Sequence, residues 1–440
     1  MKNIKLSFKV LKQRMLIFGL ILIALFLQEQ INAESQIGLR VLVTSLGVDK
    51  IEEGYEVIAQ IFTPSKEKSA PKEIVSEKGP TIGAVIEALI VKTGRLALED
   101  TCSLLVFGAD LAKDNIMETL DYFLRKNVIS WSTIITVGEK SALETLKGLN
   151  EMEKVSNIDW ADFLGISERG FDRDAVQLRE FAKSVYGLTK TAHCIVIGIE
   201  DTQQEQPSQG SGGSGGGGGS GGGQKEDSQS SFRADRQNSI YTQSSGSQSS
   251  GQDSKKGQAP QLKMHGKTAV FIKGKQVMEL NKEQTEGLNW INKKAQYHHF
   301  VLEDLGGYYF GGSKVTLQVF NKNNKIKSRF DDKPQINFII SAKFELVEVM
   351  KDQIPLIVGK NDSIKLSEML VDRTKEYIQE RVKDAYYAAA EKGADVFNVV
   401  PFFYKFHTKK YNKYMSSGRT IKDFLNDIEL KFDLKLEVEV

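Results

Sequence analysis

Residues Gly210–Gly223 read GSGGSGGGGGSGGG, fourteen positions filled by glycine and serine alone. The stretch around them, from about Gln203 to Gln261, continues in Gln, Ser, Gly, Asp and Lys, with Phe232, Ile240 and Tyr241 almost its only large apolar side chains. Such a composition buries too little apolar surface to offset the entropy of ordering it. Residues 202–262 are therefore expected to be a disordered Gly/Ser/Gln-rich linker. As a flexible coil of about 60 residues, its ends lie roughly 45 Å apart on average. The chain on either side has the patterning of folded structure. The fold class expected is α+β and multi-domain, with mixed β-sheets covered by helices in two folded bodies separated by the linker.

The 440 residues, less a leader and the linker, leave room for two or three domains of ordinary size. The net charge of +2 hides an asymmetry. Residues 1–33 hold Lys2, Lys5, Lys9, Lys12 and Arg14 against Glu29, which leaves 54 basic and 56 acidic residues in the remainder. A body this close to neutral has no electrostatic footprint for nucleic acid. The basic start runs into apolar Met15–Leu27 and then a small residue at Ala33. Residues 1–33 thus read as a signal peptide or an uncleaved N-terminal anchor. Their apolar part is shorter than the ~20 residues of an ordinary spanning helix. Cys102 and Cys194, the only two cysteines, open apolar runs and read as packed core residues rather than a disulfide.

In the first body, residues 36–201, strand-like runs alternate with helix-like ones. Ile37–Asp49 and Tyr55–Phe62 can pair through the turn at Glu52–Gly54, and polar Pro64–Pro80 reads as a loop. Thr81 caps a helix through Lys92, with Ile82, Val85, Ile86, Leu89 and Ile90 along one face. Cys102–Gly108 is a buried strand, Leu111–Lys126 a helix, Ser132–Gly138 a strand and Ala142–Leu149 a helix. Ile158–Tyr186 reads as an interrupted helix, and Thr191–Glu200 closes the body as a strand. Asp172 and Asp174 are spaced like a metal pair, but without further carboxylates they read as helix-start residues. His193 beside Cys194 does not make a zinc site. The sequence shows neither a nucleophile–base signature nor a phosphate-cradling loop.

The second part divides into a small middle α+β domain, 263–334, and a C-terminal α+β domain, 335–440. Thr268–Ile272 and Gln276–Leu280 form a hairpin around Lys273-Gly274, and Asn281 caps a helix over Glu283–Asn292. Val315–Phe320 and Lys325–Phe330 read as a second hairpin across Asn323-Asn324, and Gln335–Met350 as a longer strand. The longest helix signal is 364–392, stopped by Gly393. Ala394–His407 is apolar and strand-like, Thr420–Leu425 helical. The end alternates strictly from Ile428 to Val440, a strand with one wet and one dry face. His298 and His299 point to opposite faces of a strand and do not share a metal. The aromatic stretch Gly306–Gly312 reads as a connector with packed aromatics, with a binding lip as the alternative. The basic run His407–Lys413 reads as a solvated face, with contact to anionic lipid headgroups as the alternative.

The order of these pieces resembles the spore germination protein C-subunit family, Ger(x)C. The strand ending in Leu46-Gly47-Val48-Asp49 fits the family's opening. The hairpin around Ala269-Val270-Phe271 and the helix end Gly287-Leu288-Asn289-Trp290 fit its restart after the first domain. The long late helix leading to Ala394-Asp395-Val396 and a closing strand fit its end. The resemblance covers nearly the whole chain after the leader. It implies a non-enzymatic subunit of a nutrient germinant receptor on the outer face of the inner spore membrane, working with integral membrane A and B subunits and needing no cofactor. Asp49, Trp290 and Asp395 are its landmarks and are expected to be structural, Asp49 capping a turn and Trp290 packing. Family members usually carry a lipid-modified cysteine after the signal, and this leader has none, so attachment rests on the leader itself or on the partner subunits. The linker then reads as an expanded junction between family domains. The alternatives are an exported, membrane-associated binding or scaffolding module, whose tether lets two bodies engage separate partners, and an exported enzyme. The latter lacks a convergent acid, base and nucleophile.

Overall fold

The computed structural model describes residues 14–23, 40–62, 72–93, 96–98, 101–126, 128–156, 164, 175–200, 261–263, 266–292, 298–303, 311–351, 354–355 and 363–440. Residues 202–260 of the linker, the Ala33 cleavage region, the Asp172/Asp174 pair and the aromatic residues of Gly306–Gly312 lie outside them, while Gln261 and Leu262, expected at the linker's end, are instead strand. Residues 14–23 form a helix, α1, with apolar side chains that are largely exposed. No described helix is long and apolar enough to cross a membrane.

The first sheet opens with β1 (Arg40–Ile51) and β2 (Gly54–Phe62), paired antiparallel as their patterns predict. Next to β2 lies β3 (Glu73–Gly79), where the sequence reading placed a loop. Its residues EIVSEKG show no alternation because it is an edge strand, held by backbone pairing and by ion pairs such as Lys92–Glu77 at 2.7 Å. Thr81 caps α2 (Ile82–Thr93) as expected, its hydroxyl accepting from Ala84 N at 3.3 Å. Short β4 (Leu96–Leu98) joins β1, and β5 (Leu104–Phe107) follows. The helix expected over Leu111–Lys126 is two helices, α3 (Ala109–Asp114) and α4 (Met117–Lys126). Asn115 is extended between them and caps the second by accepting from Met117 N at 2.8 Å. Then come β6 (Ile134–Gly138), α5 (Ala142–Ser156), β7 (Val176–Gln177), α6 (Leu178–Val185) and β8 (Thr191–Glu200).

Three strands from beyond the linker, β9 (Gln261–Lys263), β10 (Thr268–Ile272) and β11 (Lys275–Leu280), enter this same sheet. Its order is β11-β10-β8-β6-β5-β1-β2-β3, with β8, β6, β5 and β1 parallel at the centre. The hairpin expected to open the middle domain therefore completes the sheet of the first body. Glu200 and Gln261 are register partners, so the chain leaves and re-enters on adjacent strands rather than at the ~45 Å separation of a free coil. Both faces of the sheet are covered, which is why its central strands read as unbroken apolar runs. Leu105 and Phe107 face α2, α3, α4 and α6; Leu104 and Val106 face α5.

The second sheet contains β12 (His298–Glu303), β13 (Lys314–Phe330), β14 (Pro334–Lys351), β15 (Ile354–Pro355) and the terminal β16 (Glu429–Glu439), and α7 (Lys282–Asn292) leads into it from β11. One face is covered by α7, by α8 (Ser363–Lys392), and by the short helices α9 (Val400–Phe406), α10 (Thr408–Met415) and α11 (Ile421–Asp427). Ile336, Phe338, Ile340, Ala342 and Phe344 of β14 point into this core, while Ser341, Lys343 and Glu345 face solvent. The expected hairpin over 315–330 is instead one continuous strand, β13, paired with β14 along its length. A register shift between Val319 and Asn321 moves the buried positions from odd to even numbers, and this bulge is what mimics a turn in the sequence. The expected boundary at 334/335 falls just inside the start of β14, which pairs with β13 across it. Ala394–His407, expected as a strand, holds a turn and α9, with Pro401 in the helix's first turn. A short, mostly apolar run carries no period that separates strand from helix.

Candidate functional site

The landmark motifs resolve into two kinds of device: a glycine that lets elements approach closely, and an acid that holds a helix start. In Leu46–Asp49, a Cβ on Gly47 would stand 2.9 Å from Leu146 Cδ1 and 3.0 Å from Ala142 Cβ, so the missing side chain admits α5 to the sheet. Two residues on, the Asp49 carboxylate accepts from Ala142 N at 2.7 Å and Leu143 N at 3.0 Å. It therefore caps helix α5 rather than a local turn. Burial pushes its pKa up, opposed by those two amide donors. Asp49→Ala leaves two amides of the first turn without an acceptor and is expected to lower stability by about 1–2 kcal/mol. Urea melts of the purified chain read this directly, and Asp49→Asn should recover part of the loss.

Asp395 repeats the design in the second half. Its carboxylate accepts from Val399 N at 2.8 Å and Val400 N at 2.9 Å, fixing the start of α9, while its own N–H donates to Thr191 Oγ1 of β8 at 3.2 Å. It is fully enclosed, and burial raises its pKa to about 6 against the two backbone hydrogen bonds.

Between the two sheets runs α7. Asn281 and Gln284 form a reciprocal cap at its start, with Gln284 N donating to Asn281 Oδ1 at 2.8 Å and Asn281 N to Gln284 Oε1 at 3.1 Å. Gly287 faces α8, where a Cβ would overlap the Arg381 carbonyl oxygen and stand 3.0 Å from Val382 N. One residue before it, the buried Glu286 carboxylate gathers the donors around it. The Tyr377 hydroxyl donates at 2.9 and 2.8 Å, Trp290 Nε1 donates at 3.3 Å, His298 Nε2 lies 3.4 Å away and Arg381 Nε 4.0 Å. Burial and the neighbouring carboxylate raise the Tyr377 pKa. Trp290 is buried with edge contacts to Phe300 at 6.0 Å between ring centres. At the far end of α7, the bulged strand β13 aims polar side chains at its last carbonyls. Lys322 Nζ donates to Asn289 O at 3.4 Å and Asn324 Nδ2 to Ile291 O. Burial lowers the Lys322 pKa to about 7.

The arrangement is a clamp. Charge-assisted hydrogen bonds fasten α7 to α8, and α7 is the covalent link from the first sheet to the second. Sequence reasoning singled out Trp290 and Asp395 but missed Glu286, Tyr377, Arg381 and Lys322 in the cluster around Trp290. The available signal was Gly287, which costs a helix interior about 1 kcal/mol and so marks close packing. His298 is buried and His299 exposed, as the strand reading expects. Both cysteines are buried, as core residues, and Cys102 Sγ donates to Leu104 O at 3.2 Å. Among the described residues no group of His, Cys, Asp and Glu has metal-binding geometry. A cavity of about 30 Å³ lies between α2 and β1–β3, lined by Val43, Leu46, Ala59, Ile61, Ile86 and Leu89. Its lining is apolar, and it is small beside ligand pockets of roughly 300–1,000 Å³.

These features define an α+β protein of two helix-covered sheets, one flanked on both faces and one on a single face, clamped through a shared helix. Residues 34–199 match the family model described as spore germination protein N-terminal domain, and residues 266–440 the model described as spore germination B3/GerAC like, C-terminal. The chain belongs to the GerAC-like family of spore germination proteins. Among solved structures, the crystal structure of the GerBC protein is similar at a TM-score of 0.47 and 12% identity, covering 90% of this chain and 97% of that one. No curated protein matches the sequence.

Proposed function

We propose that this chain is the non-enzymatic C subunit of a nutrient germinant receptor, held at the outer face of the inner spore membrane by its leader or by its partners, and acting with two integral membrane subunits to trigger germination. The observation that carries the reading is the pair of family matches, in order, over 34–199 and 266–440. In this reading Asp49, Asp395 and Glu286 serve shape. Each spends its carboxylate on helix amides or buried donors, and together they hold the surface that the membrane subunits dock against. Spores of the source strain lacking this chain should lose the response to the nutrient its receptor serves, and regain it on re-expression. An unchanged response to every nutrient that triggers the parent strain would contradict the proposal.

A further inference from the structure

The basic stretch that the clamp does not use has an unusual balance. From Val396 to Lys422 the sequence holds six basic residues and no acidic one, although the chain as a whole holds 59 basic and 57 acidic residues. The inner side of α9 and α10 is committed to the core, with Phe403 and Tyr411 packed on Phe424 at 5.1 and 5.0 Å between ring centres. Their outer side carries Tyr404 and Phe406, 49% and 61% exposed. Exposed Lys405, Lys409 and Lys413 accompany them. Lys405 Nζ stands 5.1 Å from the centre of the Phe406 ring, so charge and aromatic surface are interleaved. Lys409 and Lys413 are four apart in α10 and share a face. Of the acidic side chains on adjoining elements, Asp427 pairs with Arg419 at 3.2 Å, Asp423 closes the cap at Thr420 and Asp331 pairs with Arg329, while Asp332 lies exposed in the turn before β14.

A merely solvated face has no need of two exposed aromatic rings, and protein-docking faces are depleted in lysine relative to the rest of the surface. Lysines around an exposed phenylalanine and tyrosine complement a lipid surface, where aromatic rings sit at headgroup level and ammonium groups meet anionic headgroups. We infer that the outer face of α9 and α10 is a contact surface for an anionic membrane, one that orients the second sheet against the bilayer. The inference rests on the reading of the chain as a membrane-associated subunit and adds which face meets the lipid.

The test is co-sedimentation of the full chain with vesicles of one part phosphatidylglycerol to two parts phosphatidylcholine, and with phosphatidylcholine vesicles alone. The wild type is compared with a Lys405→Gln, Lys409→Gln, Lys413→Gln triple variant and with Phe406→Ser. The leader is common to all three, so its own attachment cancels. Each lysine near an anionic surface contributes about five-fold to partitioning, so the triple variant should bind anionic vesicles on the order of a hundred-fold more weakly. Phe406→Ser should lose affinity for both kinds of vesicle, and a triple Lys→Arg variant should bind as the wild type does. All four substituted side chains are exposed, and unchanged thermal melts show that the variants fold. Equal binding by the wild type and the triple-Gln variant, or equal affinity of the wild type for neutral and anionic vesicles, would overturn the inference. So would failure to bind anionic vesicles by a chain that still co-purifies with membrane subunits, which leaves the receptor reading standing. Anionic-selective binding by a chain that has no membrane partners would support this face and sink that reading instead.

Discussion

Gly287→Ala is expected to destabilise the chain by about 3 kcal/mol, at the upper end of what overpacking costs. The added Cβ would overlap the backbone oxygen of Arg381, an atom in the middle of the 30-residue helix α8 that no rotamer change can move away. The helices must part, and parting stretches the Glu286–Tyr377 hydrogen bonds that cross between them. The sign of the effect makes the test sharp. At an exposed helix position, glycine to alanine stabilises by about 1 kcal/mol through propensity alone. Urea denaturation followed by tryptophan fluorescence reads both the loss of stability and the altered surroundings of Trp290. An unchanged or higher midpoint would mean that α7 and α8 are not in contact at this position.

Lys322→Met is expected to remove a pH dependence worth about 3 kcal/mol between pH 7 and 9.5. Burial lowers the lysine pKa from 10.5 to about 7 in the folded chain. In this window the unfolded chain binds more protons at this position than the folded one, so stability rises as pH rises. Below pH 7 both states are protonated and the penalty for the buried ammonium is constant. The carbonyl of Asn289 at the end of α7 draws the ammonium inward, yet desolvation outweighs that attraction. Methionine keeps the length of the side chain without the charge, so its stability curve should lack this rise. The readout is the difference in urea midpoint between wild type and variant at the two pH values, which cancels other titrating groups. Asp395 acts in a separate window and with the opposite sign: its raised pKa makes stability fall between about pH 4 and 6. Parallel curves for wild type and Lys322→Met would show that Lys322 is not buried as an amine.

What the sequence made legible depended on whether the cause lay nearby. The alternation from Ile428 onward announces β16, and its inward residues Leu430, Phe432, Leu434 and Leu436 do pack on the core. The 364–392 helix follows from its periodic apolar face and a terminal Gly393. Partner choice was not legible. β16 runs parallel to β14, and the Thr268–Leu280 hairpin joins β8 across the linker, because register and neighbour are set by tertiary packing. The bulge in β13 looked like a turn for the same reason, since only the partner strand reveals that pairing continues. The site shows this limit most plainly. Asp49 finds its helix 93 residues away, Glu286 and Tyr377 stand 91 residues apart, and Lys322 reads in sequence as one more lysine in the polar run NKNNKIK. Resemblance to a family pointed to Asp49, Trp290 and Asp395; geometry supplied the reason for each.

The proposed receptor role can be put to one biochemical measurement: purification of an affinity-tagged copy of this chain from inner membranes of dormant spores in mild detergent. As a germinant receptor subunit it should bring down two integral membrane proteins in fixed proportion, under conditions where Gly287→Ala recovers them poorly. Recovery of the wild-type chain alone, from membranes whose other complexes survive the same extraction, would contradict it.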